Sequence, residues 1–319
     1  MRIQVLALDG VFDTGLAAVL DMLGTANTLA PTISAKAPIF DVSVVGLRQK
    51  VRTAHGLQVP VAGTFKPKAG DWIVVPAVSA PTPDTLMTAL NRRDVKDACG
   101  ALRESAKTVE VAAACMGTFI LAEAGVLDEQ RATTTWWLAP VFRQQYPRVR
   151  LDEARMVVKS GRFLTAGAAL GHIDMALSIV QHASPDLASL VARYLVVDSR
   201  SAQSAYTLAD HLAYSDPMVE RFERWARRHL TEGFSLDAAA HAVGTSKRTL
   251  ARRLQQILGK SPLSYFQDLR VERAVHLLKT SRKSIDQIAE DVGYADGVTL
   301  RALIRDRLGR GVREVRKLG

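Results

Sequence analysis

Two sets of residues in this 319-residue chain combine types and spacings that can do chemistry. The first centres on Cys115, in Ala112-Ala-Ala-Cys115-Met-Gly-Thr-Phe-Ile-Leu-Ala. A β-type apolar run, residues 108–113, leads into it, and a helix-type run follows at once. A cysteine on a small-residue turn between strand and helix has the form of a nucleophile elbow. The N-terminus of the following helix would lower the thiol pKa and activate it. The same letters fit an inert small side chain at a tight junction, and the stretch alone leaves both readings open. The second set is cationic: Lys247, Arg248, Arg252 and Arg253 in one segment, Arg301 and Arg305 in another. Arginine pairs in bidentate fashion with guanine in the major groove and with phosphate oxygens.

The elements that must carry the second set occur twice. Ser235-Leu-Asp-Ala-Ala-Ala-His-Ala-Val-Gly244 is echoed, 49 residues on, by Ser284-Ile-Asp-Gln-Ile-Ala-Glu-Asp-Val-Gly293. Past each glycine the offset is 50: Leu250, Leu254, Leu258 and Gly259 answer Leu300, Ile304, Leu308 and Gly309. Each copy reads as a capped short helix, a tight turn, and a second helix closed by glycine. Ser235 and Ser284 are N-caps, each with an acid in the first turn where the helix dipole favours it. Leu236, Ala239, Ala240 and Val243 fall at i, i+3, i+4 and i+7, as do Ile285, Ile288, Ala289 and Val292. Gly244 and Gly293 permit the positive φ of a helix-turn-helix. The polar set around the second helix of the first copy is then Ser246, Lys247, Arg248, Thr249, Arg252 and Arg253. In the second copy it is Asp296, Thr299, Arg301 and Arg305. Any αα-hairpin can imitate one such pattern; two in register, each with a basic second helix, point to double-stranded DNA.

Residues 262–279, opened by Ser261-Pro262 and free of glycine, form a linker helix between the copies. At 1.5 Å per residue it spans about 27 Å, near the roughly 34 Å between successive major-groove faces. Charge agrees: 21 of the 42 Lys and Arg lie from Pro217 onward, against 12 of the 32 Asp and Glu, so this tail carries +9 of the formal +10. Basic charge gathered on one domain is the footprint of a polyanion partner. Arg248, Arg252 and Arg253 are expected to read bases and bind phosphate, Arg301 and Arg305 mainly to bind phosphate.

Residues 216–316 resemble the AraC/XylS family of bacterial transcription regulators. The resemblance rests on Thr245-Ser-Lys-Arg-Thr-Leu-Ala-Arg-Arg-Leu, Leu258-Gly-Lys-Ser-Pro-Leu-Ser-Tyr265, Leu269-Arg-Val-Glu-Arg-Ala274 and Ile288-Ala-Glu-Asp-Val-Gly-Tyr294. Leu300 and Ile304 stand where that family usually has aromatics, and Val312 where it has proline. All three remain apolar, so the fold is expected to hold.

The front of the chain alternates strands (3–8, 40–45, 71–75, 108–113) with helices (16–29, 83–92, 93–105, 167–182), and two short strands flank His55-Gly56. That alternation predicts an α/β doubly wound parallel sheet. Cys115-Met-Gly-Thr-Phe, Leu121-Ala-Glu-Ala-Gly-Val-Leu-Asp128, Arg131-Ala-Thr-Thr and Leu164-Thr-Ala-Gly-Ala-Ala-Leu-Gly-His-Ile-Asp174 are similar to the DJ-1/PfpI superfamily, the flavodoxin-like branch related to class I glutamine amidotransferases. That front joined to an AraC-type tail is the organisation of the GlxA-like regulators, whose front domain acts as a sensor and dimerises. The resemblance implies domains at 1–196 and 216–319, with residues 197–215 as linker. It also implies a small-molecule effector such as an amino acid or quaternary amine, transcription activation, and RNA polymerase as a further partner.

Enzymes of the superfamily carry a glutamate where this chain has Gly15, and a histidine where it has Thr135. The glycine pair that supplies oxyanion amides is replaced by Ala77-Val78. These departures imply an effector site without turnover, expected at the carboxyl edge of the sheet and lined by Gly15, Val78, Cys115, Met116 and Trp136. Asp13 would contact an effector amine or cap the following helix. Trp136 and Trp137 would wall a cationic ligand or simply pack. His172 is expected to be a hydrogen-bonded structural histidine. No metal spacing surrounds Cys99 or Cys115, and neither metal nor cofactor is expected. Sparse cysteines, no signal-type opening and no window apolar enough to span a bilayer suggest a cytoplasmic protein. Beside the regulator stand two alternatives: a cysteine-dependent amidase or glyoxalase-like hydrolase carrying a DNA-binding tail, and an architectural DNA-binder without effector.

Overall fold

The computed structural model describes residues 1–197, 216–308 and 311–317; residues 198–215 of the expected linker, and Gly309, lie outside them. The chain divides into two compact units, Met1–Gln203 and Ser204–Gly319.

The first unit runs β1 (Arg2–Leu6), α1 (Asp13–Ile33), β2 (Asp41–Gly46), β3 (Lys50–Arg52), β4 (Gln58–Pro60), β5 (Gly63–Thr64), β6 (Trp72–Val75), α2 (Pro83–Leu90), α3 (Arg93–Ser105), β7 (Glu110–Ala114) and α4 (Gly117–Glu123). It continues through β8 (Arg131–Ala132), a 3-10 turn (Trp136–Leu138), α5 (Ala139–Gln145), β9 (Arg150–Leu151), β10 (Val157–Ser160), β11 (Phe163–Ala166), α6 (Gly171–Ala183) and α7 (Pro185–Tyr194). Seven strands form one sheet in the order β10-β11-β7-β6-β1-β2-β5. Its central strands are apolar on both faces because helices cover both, as parallel sheets require. One layer packs Leu86, Leu102, Phe119 and Phe142 against the sheet; the other packs Leu23, Met175, Ile179 and Val191.

Two expectations need correction. The sheet is mixed, because β10 and β11 pair antiparallel. Only Gly161 and Arg162 separate their paired ends, and Gly161 adopts φ 54°, so a two-residue hairpin turn sets the direction. Second, α1 is longer than expected and, with 21 residues and mean hydropathy 1.2, is apolar and long enough to cross a bilayer by length and composition. Its apolar side is committed to the unit's own core: Leu16, Val19, Met22, Leu23 and Ala26 are buried with residues of α6 and α7.

The second unit contains a lead helix (Pro217–Arg228), a first short helix (Leu236–Ala242), a first basic helix (Lys247–Leu258) and a linker helix (Pro262–Thr280). A second short helix (Ile285–Asp291), a second basic helix (Gly297–Leu308) and a terminal helix (Val312–Lys317) follow. Serine caps open four of them: Ser235, Ser246, Ser261 and Ser284 each accept an amide hydrogen three residues on. Gly244 and Gly293 turn at φ 71° and 81°, as the two copies need. Each copy has its own core. Phe222, Leu250, Leu254 and the N-terminal half of the linker helix form one; Ile288, Leu300, Ile304 and its C-terminal half form the other. Leu300 and Ile304 are fully buried, so losing the aromatics does not open the second copy. The linker helix has 19 residues, about 28 Å at 1.5 Å each.

Candidate nucleic-acid interface and buried cysteine site

Arg248, Arg252, Arg301 and Arg305 are exposed, and among the described residues none has an ion-pair partner. An unpaired guanidinium keeps its five donors available, which a base edge or phosphate requires. Other residues expected at this surface serve the fold. Ser246 caps the first basic helix through the Thr249 amide, and its hydroxyl lies 2.9 Å from that of Thr249. Asp296 does the same for the second, accepting from the Val298 and Thr299 amides at 2.8 Å each. The Thr299 amide above all holds the Asp296 carboxyl below the usual carboxylate range. Lys247 pairs across the turn with Asp237 at 2.9 Å, both well exposed, a contact too weak to withhold it from phosphate.

Arg253, also exposed, has a partner within its own unit. Its Nε donates to Asp216 Oδ2 at 2.5 Å, and that carboxylate also caps the lead helix through the Met218 and Val219 amides. Burial alone would raise the Asp216 pKa, but these hydrogen bonds outweigh it and hold the carboxyl low. Arg253 therefore ties the first basic helix to the lead helix.

Arg270 was not among the expected functional residues. It lies on the buried face of the linker helix, donates from Nε to the Leu230 carbonyl at 2.8 Å, and also bonds the Glu232 carbonyl. Its guanidinium sits over the Phe266 and Tyr294 rings, 4.7 and 4.9 Å from their centroids. Gly293 approaches so closely that any Cβ there would meet Leu230 O and Arg270 Nη2. One side chain thus fastens the approach to the first copy against the turn of the second. An arginine between Phe266, Leu269 and Ala274, on an otherwise apolar face, was the available signal.

In the first unit, β11, β7, β6 and β1 run parallel, so their carboxyl ends share one edge. Cys115 follows β7 there with φ 54°, and Ala168 follows β11 with φ 60°. Non-glycine residues held in that region store strain, which tends to gather at functional sites. The Cys115 amide donates to Ala166 O at 2.8 Å, and the Thr134 hydroxyl donates to Cys115 O at 2.8 Å. Activation of the thiol does not follow. Cys115 is 4% exposed, and burial pushes its pKa up to about 12 against weaker opposition from the Met116 amide and the Thr135 hydroxyl. The following helix has only seven residues, and desolvation of the thiolate outweighs it.

The histidine beside this edge is not poised as a base. His172 is fully buried; its Nε2 accepts from the Ala77 amide at 3.1 Å and its Nδ1 lies 2.8 Å from Ala169 O. Those partners fix the neutral tautomer with hydrogen on Nδ1, and burial lowers the pKa to about 4. A Cβ on Gly15 would lie 2.7 Å from His172 Nε2, so the imidazole fills the space where superfamily enzymes place a glutamate. The Ala77 amide, at the expected oxyanion position, is spent on that imidazole.

Of the expected effector residues, Val78, Cys115 and Met116 fall in one buried apolar cluster, with Phe12 packed against it. Gly15 joins them through His172, which lies 6.1 Å from the Phe12 ring. Trp136 is half-buried and meets Trp137 edge-on at 5.5 Å. Asp13 stands apart. It does not cap α1, which it begins; its carboxylate accepts from the His55 amide at 3.2 Å and lies 2.9 Å from His55 Nδ1. A hydrogen bond from Thr53, chiefly, holds its pKa down.

An α/β domain with a cysteine at the carboxyl edge of its sheet, followed by two helix-turn-helix copies on one linker helix, defines the class: a DJ-1/PfpI domain with an AraC-type DNA-binding domain. The DJ-1/PfpI family model matches residues 1–182, more than half of the sequence, and the chain belongs to that family. A helix-turn-helix domain model matches residues 239–318. The chain is similar to the HTH-type transcriptional regulator GbdR of Pseudomonas aeruginosa, 26% identical over 274 residues, 84% of this chain and 72% of that one. It is also similar to the HTH-type transcriptional regulator GlxA of Rhizobium meliloti, 27% identical over 56% of each chain. A THiJ/PfpI family protein from Pseudomonas syringae shares the fold, with a TM-score of 0.51 at 18% identity, covering 76% of this chain and 90% of that one.

Proposed function

We propose that the chain is a sequence-specific DNA-binding transcription regulator, an activator controlled by a small molecule bound in the first unit without turnover. The observation that carries this is the pair of capped helix-turn-helix copies, fastened through Arg270, that leave Arg248, Arg252, Arg301 and Arg305 exposed and unpaired among the described residues. Arg248 and Arg252 read bases, and Arg301 and Arg305 hold phosphates. The domain limits are 1–196 and 216–319, and the residues between serve as linker. The first units pair two chains into a homodimer in the cytoplasm, where RNA polymerase is the further partner.

Binding without chemistry is supported by the buried, protonated Cys115 and by a histidine whose two nitrogens are both engaged. Strain at Cys115 and Ala168 supports an effector site at the same edge, with Val78, Met116 and Trp136 around it. Amino acids and quaternary amines are the ligand classes to test. The experiment is fluorescence anisotropy of the full chain on duplexes selected from a random library, with and without a panel of such compounds. Enrichment of one motif, weakened by Arg248→Ala with Arg252→Ala and shifted by a compound, is the expected result. Unchanged binding by the double variant contradicts the DNA interface; turnover abolished by Cys115→Ser contradicts the sensor.

A further inference from the structure

The two basic helices present different faces. At the repeat offset of 50, Arg248, Ala251, Arg252 and Gln255 correspond to Val298, Arg301, Ala302 and Arg305. All eight are at least partly exposed. Where the first copy offers arginine the second offers valine or alanine, and where the second offers arginine the first offers alanine or glutamine. The copies therefore ask for different base sequences.

Val298 is the informative member. It is 69% exposed, more than any other large hydrophobic described in the second unit. The core beneath does not use it, because Leu300 and Ile304 already fill the inward positions at 0% exposure. Its place is fixed, one residue into the helix, with its amide donating to Asp296 Oδ1 at 2.8 Å. Its β-branched side chain has few χ1 choices, so it offers a compact pair of methyl groups. The exposed residues near it on the same helix include Arg301 and Arg305, which suit a polyanion better than an apolar protein surface. In the major groove the apolar feature is the C5-methyl of thymine.

We propose that Val298 reads a thymine methyl group in the half-site of the second copy, at the place where Arg248 reads a guanine in the half-site of the first. This rests on the DNA interface argued above. The operator is then an unequal pair of half-sites, which fixes the polarity of the chain along the duplex.

The test uses the full-length protein on its library-selected duplex, with each dT replaced in turn by dU so that only a methyl group is lost. One such replacement is expected to weaken wild-type binding about fourfold, the scale of one buried methyl group. It should lie about 10 base pairs from the guanine that Arg248→Ala no longer distinguishes. Val298→Ala should be insensitive to that dU, and Val298→Thr, which keeps the β-branch and one methyl, intermediate. If no dU affects wild type, or if Val298→Ala keeps the full dU sensitivity, the assignment of Val298 is overturned. Transcription abolished in Val298→Ala with binding and dU sensitivity intact overturns it in favour of a protein partner. Failure to enrich any motif, or unchanged binding by Arg248→Ala with Arg252→Ala, is a distinguishable result that overturns the interface and Val298 together.

Discussion

A thiol 4% exposed with its pKa pushed up to about 12 is almost wholly protonated near neutrality. Cys99, also buried, is pushed up to about 11. Neither should react with a chromogenic disulfide at about pH 8 in the native protein, and both should react at once in denaturant; rapid native labelling of one thiol would contradict the burial. His172 supplies a pH dependence at the same site. Burial lowers its pKa from 6.5 to about 4, so between those values the unfolded chain binds more protons than the folded one. The stabilisation is present above about pH 6.5 and is lost as pH falls toward about 4, by up to roughly 1.4 kcal/mol per pH unit. Urea midpoints at about pH 7 and pH 5 should therefore differ more for wild type than for His172→Gln; equal differences would remove His172 as the cause.

Among the elements, the linker helix holds the greatest consequence. Gly293→Ala would combine a φ of 81° with a clash against Leu230 O, and a non-glycine residue in that region alone costs about 1–3 kcal/mol. Arg270→Ala would strand two carbonyls and a ring sandwich; removing a buried charge-assisted hydrogen bond costs about 1.5–3 kcal/mol. Both variants should lower the calorimetric Tm and weaken DNA binding, although neither position touches DNA. Arg270→Ala with unchanged Tm and affinity would contradict the fastening role. The helix-turn-helix copies were legible in the sequence because caps, glycines and i, i+3, i+4 spacing act within a few residues. The Arg253–Asp216 pair joins residues 37 apart and the Arg270–Leu230 bond residues 40 apart, and neither follows from local pattern. The nucleophile-elbow pattern at Cys115 was legible in the same way, whereas the burial that raises its pKa depends on packing from distant segments. His172 beneath Gly15 was hidden for the same reason; the antiparallel β10 turns on the local Gly161-Arg162 pair, whose signal was overlooked, and α1 ran past its expected C-terminal end because Pro31 near its last turn did not stop it.

For the whole molecule, charge and duplication converge on DNA. The second unit carries most of the net positive charge, so affinity should fall steeply with salt. Arg301→Ala and Arg305→Ala, each removing one cation from a phosphate, should each reduce the slope of log K against log salt by about one. A homodimer through the first unit predicts that sedimentation of the full chain at micromolar concentration gives twice the monomer mass of 34.7 kDa; a monomer would reject it. The measurement that bears most directly on the central claim is an interference footprint of the full chain on its selected duplex, with guanine methylation and dT-to-dU replacement read in parallel. Each chain should need two major-groove patches on one face of the DNA, about one helical turn apart: guanine under the first basic helix, abolished in Arg248→Ala with Arg252→Ala, and a thymine methyl under the second. A single patch, or interference spread without regard to sequence, would contradict two base-reading helices held on one linker.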